Sequence, residues 1–139
     1  MSDEPTVVLL RAAELAPGSP YAHAAVMPPG SHFVVTAGAC PLNAAGEIVG
    51  RGDVATQAAH VMDNLEAALR AAGAELRDVA KTTVYVATER REDLVAAWRV
   101  VRERFADHDP PSTLLGVTML GYPDQLVEVE AVASVPHPG

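Results

Sequence analysis

The sequence predicts a single α+β domain: one mixed β-sheet of about six strands, with two long helices laid across one of its faces. Three observations carry that expectation. β-rich runs precede, separate and follow two long helical stripes. Each stripe follows a strand, so each helix can fold back over the sheet it came from. The last β-rich run alternates sharply, which gives it one face for a core and one face without a cover.

The elements follow in chain order. Residues 6–11, TVVLLR, form a short β-rich run. The breakers LAPGSPY and MPPGS make 15–31 a loop with one short strand inside it. HFVVTAG, 32–38, is a strand closed by Gly38, and NAAGEIVG is a turn leading to a short strand at 47–50. The period then changes. Within 52–73, Val54, Ala58, Val61, Leu65, Leu69 and Ala72 fall on one helical face. Asp53 is placed to cap the start of that helix, and Gly73 sits where a helix-ending glycine belongs. Residues 78–88 form a β-branched strand. A second stripe, Leu94, Trp98, Val101 and Phe105, marks a helix over 92–105. STLLGVTML, 112–120, and QLVEVEAVASV, 125–135, are the closing strands.

On the last strand Val127, Val129, Ala131, Ala133 and Val135 share one face, while Leu126, Glu128, Glu130, Val132 and Ser134 share the other. The strands at 34–37 and 82–87 also carry apolar residues on both faces. A sheet with helices on one side leaves the second apolar face bare. The chain is therefore expected to form a homo-oligomer that packs sheet against sheet.

Composition narrows the function. The 139 residues suit one domain, taken as 1–139, and 49% hydrophobic with 20% charged is the balance of an ordinary globular chain. The net charge of −8 argues against a phosphate-backbone binder, whose affinity rests on Lys and Arg. The basic residues are interleaved with acids, as in ERRED and RVVRERF, which suits solvated helix faces. One cysteine, Cys40, excludes a disulfide within the chain and suits a reducing compartment. No apolar run approaches the ~20 residues of a membrane span, and the acidic start is unlike a signal peptide. The expected location is cytoplasmic, with neither membrane nor nucleic acid as partner. The five histidines are scattered, so no metal site and no cofactor is expected.

Four strings carry a more specific resemblance: SPYAHA, VVTAGACPLNAAGEIVG, QAAHVMDNLEAALRAAGAELRDVAKTTVYVA and VEVEAVA. In these and in its layout the chain resembles the Rid family of reactive-intermediate deaminases, also called YjgF-type or endoribonuclease L-PSP proteins. The resemblance implies the chorismate mutase-like fold, a homotrimer with its sheets facing inward, and a small-molecule cleft at each subunit interface. It also implies hydrolysis of enamines and imines, such as 2-aminoacrylate, to a keto acid and ammonia.

Carried over residue by residue, the resemblance makes Glu128 the carboxylate that positions water and moves protons. Tyr21 is the tyrosine lining the cleft, and Gly38 the glycine whose amide faces the ligand. Ala37 stands where the family has the serine of its T-S-G strand end, and Trp98 where it has an asparagine. Ser112, in PPST, stands where the family has the arginine that clamps the substrate carboxylate. A charge-assisted hydrogen bond contributes about 1.5–3 kcal/mol, and a bidentate arginine pair more. Ser112 and Thr113 can donate to an oxygen but cannot neutralise it. The site is thus expected to consist of Glu128 as catalytic group, with Tyr21, Ala37, Gly38, Ser112 and Thr113 binding substrate. The missing arginine points away from ordinary 2-imino acids, unless another basic residue, Lys81 first among them, takes its place.

Each residue also has a plainer reading. Glu128 can be a solvated strand residue, and Glu130 a structural partner on the same face. Tyr21 and His23 can simply anchor a loop. Trp98 falls on an apolar helix stripe. Cys40 lies near the cleft but has no base assigned to it, and free buried cysteines usually behave as small hydrophobes. The expected function is a divergent Rid-type enzyme acting on an enamine, imine or related reactive metabolite. The alternative is a non-catalytic trimeric module that binds a metabolite or a partner. The acidic charge argues against the ribonuclease activity of the family's older name.

Overall fold

The computed structural model describes residues 7–137. Six strands and two long helices appear in the expected order: β1 (Val8–Leu10), β2 (Ala24–Val26), β3 (His32–Val35), α1 (Val54–Ala71), β4 (Val79–Ala87), α2 (Arg91–Phe105), β5 (Ser112–Val117) and β6 (Val127–Val135). A single 3₁₀ turn, Leu76–Asp78, leads into β4.

The strands form two sheets. Four make the main sheet in the order β3-β6-β4-β5, and β1 with β2 forms a separate antiparallel pair. The single sheet expected from the strand count is thus divided. The β1–β2 pair is tied on through loops: the Ala22 amide donates to Asp109 O at 2.9 Å, and the Arg11 guanidinium reaches the Asp109 carboxylate at 3.1 Å. In the main sheet β4 and β5 run parallel, and α2 is the crossover between them that parallel strands require. The strand expected at 47–50 is reduced to one bridge, Leu42 to Ile48, because its residues turn directly into the helix cap.

Helix α1 starts as its sequence dictates. The Asp53 side chain accepts the Thr56 amide at 3.0 Å, and that bond holds the carboxyl below its ordinary value. Gly73 takes a φ of 82°, a left-handed conformation that costs glycine little. Val61, Leu65 and Leu69 from α1 and Val101 and Phe105 from α2 are buried against Val84, Val86, Val127, Val129 and Ala133 of the sheet. Ala72, expected to continue the α1 stripe, is instead the exposed C-cap.

Both helices cover one face, and the other face is bare. Along β6 the burial alternates as predicted up to Ala133, with Val127, Val129, Ala131 and Ala133 inward and Glu128, Glu130 and Val132 outward; beyond it Ser134, expected outward, is fully buried and Val135, expected inward, is half-buried. Register places Lys81, Thr83 and Tyr85 of β4 beside Val132, Glu130 and Glu128 on this open face. Its flanks are apolar: Phe33 is 64% exposed, Val35 74% and Leu115 43%.

The strand expected at 32–38 stops at Val35. Val35 pairs with Val132 and Ala39 bridges Val129, so the β3 side uses one residue more than β6 over this stretch. This is a β-bulge, a device that bends an edge strand and frees its backbone groups. Thr36 bridges the gap: its amide donates to Ala131 O, and its hydroxyl accepts the Ala131 amide, both at 3.0 Å.

Candidate functional site

The bulge sets up one corner of the open face. Ala39 is fixed to Val129 by two backbone bonds of 2.7 and 3.2 Å, so Gly38 lies directly against Glu128. A Cβ at position 38 would overlap the Glu128 carboxylate, which occupies that space. The amides of Ala37 and Gly38 find no acceptor among the described residues, as expected for the unpaired part of a bulge.

The Glu128 carboxylate is held on one side only. Its Oε1 accepts from Gln125 Nε2 at 3.1 Å and from the Cys40 thiol at 3.4 Å, whose one hydrogen also has Gly38 O within reach at 3.5 Å. Its Oε2 points toward Gly38 and accepts no hydrogen bond from the described residues. Burial pushes the Cys40 thiol up to about 11, helped by the hydrogen bond to Glu128 and then by its charge. At neutral pH Cys40 is therefore a donor. It lacks the thiolate that nucleophilic catalysis requires.

Two buried amides on either side of this corner were not singled out in the sequence. Gln125, 3% exposed, uses its carbonyl to accept the Tyr122 amide at 3.1 Å and its NH₂ to reach Val127 O and Glu128. Gln57 on α1 is fully buried and holds the approach to β6, donating to Asp124 O at 2.9 Å and accepting Leu126 N at 2.7 Å. Asn64, also on α1, donates to Cys40 O and Leu42 O and so fixes the loop that carries the thiol. The available signal was a pair of polar residues, Gln57 and Asn64, set close to an otherwise apolar helix stripe. Polar groups buried among apolar ones are retained where they are hydrogen-bonded.

A second group of expected site residues gathers elsewhere, at the β5 edge. Pro20, Tyr21, Trp98, Ser112, Thr113 and Leu114 line a cavity of about 400 Å³. Tyr21 and Trp98 meet edge to face with ring centroids 6.2 Å apart. Ser112 faces the helix side, where its hydroxyl is engaged with Thr82 Oγ1 and Pro110 O. Thr113 faces the open side and accepts from Lys81 Nζ at 2.7 Å. His23 is turned into its own loop, where Nδ1 accepts the Ala12 amide at 2.9 Å. Glu130 accepts from the Tyr85 hydroxyl at 2.5 Å, and that bond raises the tyrosine above its ordinary value.

One chain thus brings Gly38, Ala37 and Glu128 together and brings Tyr21, Ser112 and Thr113 together, without joining the two groups by a hydrogen bond or ring contact. Among the described residues no cluster of His, Cys, Asp or Glu could hold a metal ion, and no helix is long and apolar enough to cross a membrane.

Comparison with known proteins gives this arrangement a context. Residues 11–135 match the endoribonuclease L-PSP family. A RutC family protein of Pyrococcus abyssi is 36% identical over 118 residues, covering 84% of this chain and 87% of its own. The 2-iminobutanoate/2-iminopropanoate deaminase of Escherichia coli K12 is 32% identical over 106 residues, covering 73% and 79%. Among solved structures, the Rid family protein YyfB of Yersinia pestis superposes with a TM-score of 0.86 at 29% identity, over 94% of this chain and 99% of that one. With a match spanning nearly all of its length, the chain belongs to the Rid family, the YjgF or endoribonuclease L-PSP proteins.

Proposed function

We propose that this protein is an imine or enamine hydrolase whose site is completed between copies of the chain. In this reading three copies cover one another's open sheet faces. The Glu128 corner of one copy meets the Tyr21–Trp98–Thr113 edge of the next, enclosing a cleft for a small molecule. The observation that carries the reading is the half-free carboxylate: among the described residues Glu128 keeps one oxygen unbonded, beside two backbone amides without acceptors.

Such a corner suits C=N hydrolysis. A water molecule gives a proton to the Glu128 carboxylate as its oxygen adds to the imine carbon. The carboxylic acid then returns that proton to nitrogen, giving a carbinolamine. The freed carboxylate takes the carbinol O–H proton and passes it to nitrogen, so that the C–N bond breaks with ammonia as the leaving group while the carbonyl forms. Overall, imine plus water gives a carbonyl compound plus ammonia. An enamine enters by protonation at carbon, which makes it an iminium ion, and loss of an N–H proton gives the imine. The free amides of Ala37 and Gly38 can hold a substrate oxygen or nitrogen through this sequence.

Ser112 shapes the substrate class. Its hydroxyl is already engaged on the helix side of β5, so it offers no counter-charge to a carboxylate. The favoured substrate is an imine without an α-carboxylate handle, which also avoids the repulsion of a chain with net charge −8. A second reading rests on the Lys81–Thr113 bond, which puts a cation on the open face where it can take a carboxylate in the arginine's stead.

The test is to generate imines in situ, some bearing an α-carboxylate and some neutral, and follow carbonyl release with and without protein. The proposal expects acceleration in both series, with the larger kcat/KM for the neutral one. A higher kcat/KM for carboxylate imines, lost in Lys81→Met by a rise in KM, supports the second reading. Ligand-dependent thermal stabilisation with no acceleration of either series makes the protein a binding module and overturns the catalytic reading.

A further inference from the structure

We infer that Gln125 and Cys40 are positioning residues that together occupy one oxygen of Glu128, leaving Oε2 as the oxygen that exchanges the proton. This deepens the hydrolase reading and rests on it. Oε1 already has two donors, Gln125 Nε2 at 3.1 Å and Cys40 Sγ at 3.4 Å. Oε2 has none among the described residues and lies over Gly38, beside the unpaired amides of the bulge. A proton picked up at Oε1 would face two groups already pointing hydrogens at it. A proton picked up at Oε2 meets no competing donor among the described residues.

The orientation of Gln125 is unambiguous. Its two acceptors, Val127 O and Glu128 Oε1, lie on the NH₂ side, and its one donor, the Tyr122 amide, lies on the carbonyl side. Both amide hydrogens and the oxygen are therefore used, in a residue almost wholly removed from water. Cys40 is held just as firmly from behind, through its carbonyl, by Asn64 Nδ2 at 2.8 Å. Gln125, three residues before Glu128, and Cys40, 88 residues before it, thus fix the carboxylate rotamer together. A catalytic group held by packed supports keeps its geometry through the reaction, and loss of a support costs rate rather than affinity.

The chain's single cysteine allows a test that does not depend on turnover. Its S–H stretch is the only one in the protein, so an infrared spectrum reads the Cys40 bond directly. In the wild type the band is expected at the lower frequency of a thiol donating to a carboxylate, and it moves up in Glu128→Gln. An unmoved band means that Cys40 does not donate to Glu128, which overturns its part.

Kinetics test the rest. Gln125→Leu is expected to lower kcat on the order of tenfold with KM unchanged. Cys40→Ala lowers it less, and Cys40→Ser restores it by keeping a donor. Combining Gln125→Leu with Glu128→Gln costs nothing beyond Glu128→Gln alone, because Gln125 acts only through that carboxylate. An additive loss in the double variant, or a wild-type kcat in Gln125→Leu, overturns the positioning role while Glu128 keeps its own. If Glu128→Gln itself leaves turnover intact, the hydrolase reading fails instead.

Discussion

The Glu128 carboxylate fills the volume that a side chain on Gly38 would take. Gly38 does not need a left-handed backbone, since its φ is not among the positive ones. It needs the absence of a Cβ. The two Ala39–Val129 backbone bonds prevent the strand from moving away, so any substituent must displace the carboxylate. Gly38→Ala is accordingly expected to lower imine turnover by about 100-fold, the scale of a small misplacement of a catalytic group. Its melting temperature is expected to fall as well, because Cγ, Cδ and Oε2 of Glu128 all lie within 3.0 Å of the added Cβ and the held side chain must shift as a whole. Steady-state kinetics beside a thermal melt separates the two effects. A variant with normal kcat would show that the contact has no bearing on chemistry.

Cys40 gives a pH signature. With its thiol at about 11 against an ordinary 9.0, thiolate at pH 8 is about one-hundredth of that of a free cysteine. Alkylation by iodoacetamide should be correspondingly slow, and faster in Glu128→Gln, which removes the acceptor and its charge but not the burial. The thiol is protonated longer in the folded state. Its contribution to stability is therefore complete below pH 9 and is lost as pH rises from about 9 to about 11. Asp53 works in the opposite sense: its depressed carboxyl stabilises the helix start above the unfolded value of 3.8 and stops doing so as pH falls through the folded one. Chemical denaturation across pH reads both limbs, and a flat alkaline limb contradicts the assignment for Cys40.

Gln57 is the structural support behind the site. Replacing it with methionine keeps its volume and leaves Leu126 N and Asp124 O without partners. Asp124 is exposed and Leu126 half-buried, so the cost is expected at the lower end of the ~1–3 kcal/mol of an unpaired buried group. Urea unfolding should show a loss on that scale. Hydrogen exchange should show faster opening at Leu126, at the entry to β6, than in the distant half of α1. A loss below about 0.5 kcal/mol would mean that water takes over both bonds.

The open face predicts assembly. Phe33 and Val35 stand on it largely exposed, next to Val132 of β6. If three copies bury this face, Val35→Asp places a charge in each interface and lowers the association state. Light scattering on the wild type should give the mass of three 14.5 kDa chains, and on the variant a smaller one. The variant should also lose turnover despite an intact Glu128. Full activity in a monomeric variant contradicts a site shared between copies.

Much of this was legible in the sequence, and the reason is local physics. Asp53, Gly73 and the α1 stripe act within a few residues of themselves, and the alternation of β6 needs only the two-residue period of a strand. Glu128 could be placed on the open face by that period alone. The bulge at 36–38 could not, because it is a mismatch in register between two strands nearly a hundred residues apart. The same holds for the Cys40–Glu128 bond, which joins positions separated by 88 residues. The division of six strands into two sheets depends on which edges meet, and strand propensity is silent on that point. Ser112 stands out in the sequence only through the arginine that the family resemblance leads one to expect there. Its turn toward Thr82 follows from its parallel pairing with that residue, which only the fold displays.

The most direct test of the account is the rate of carbonyl release from a neutral imine by wild-type protein and by Glu128→Gln. The substitution keeps the shape of the side chain and removes its ability to take up a proton. The account predicts a fall in kcat of about 100-fold or more, with oligomeric mass and melting temperature retained. Equal rates for the two proteins would contradict it.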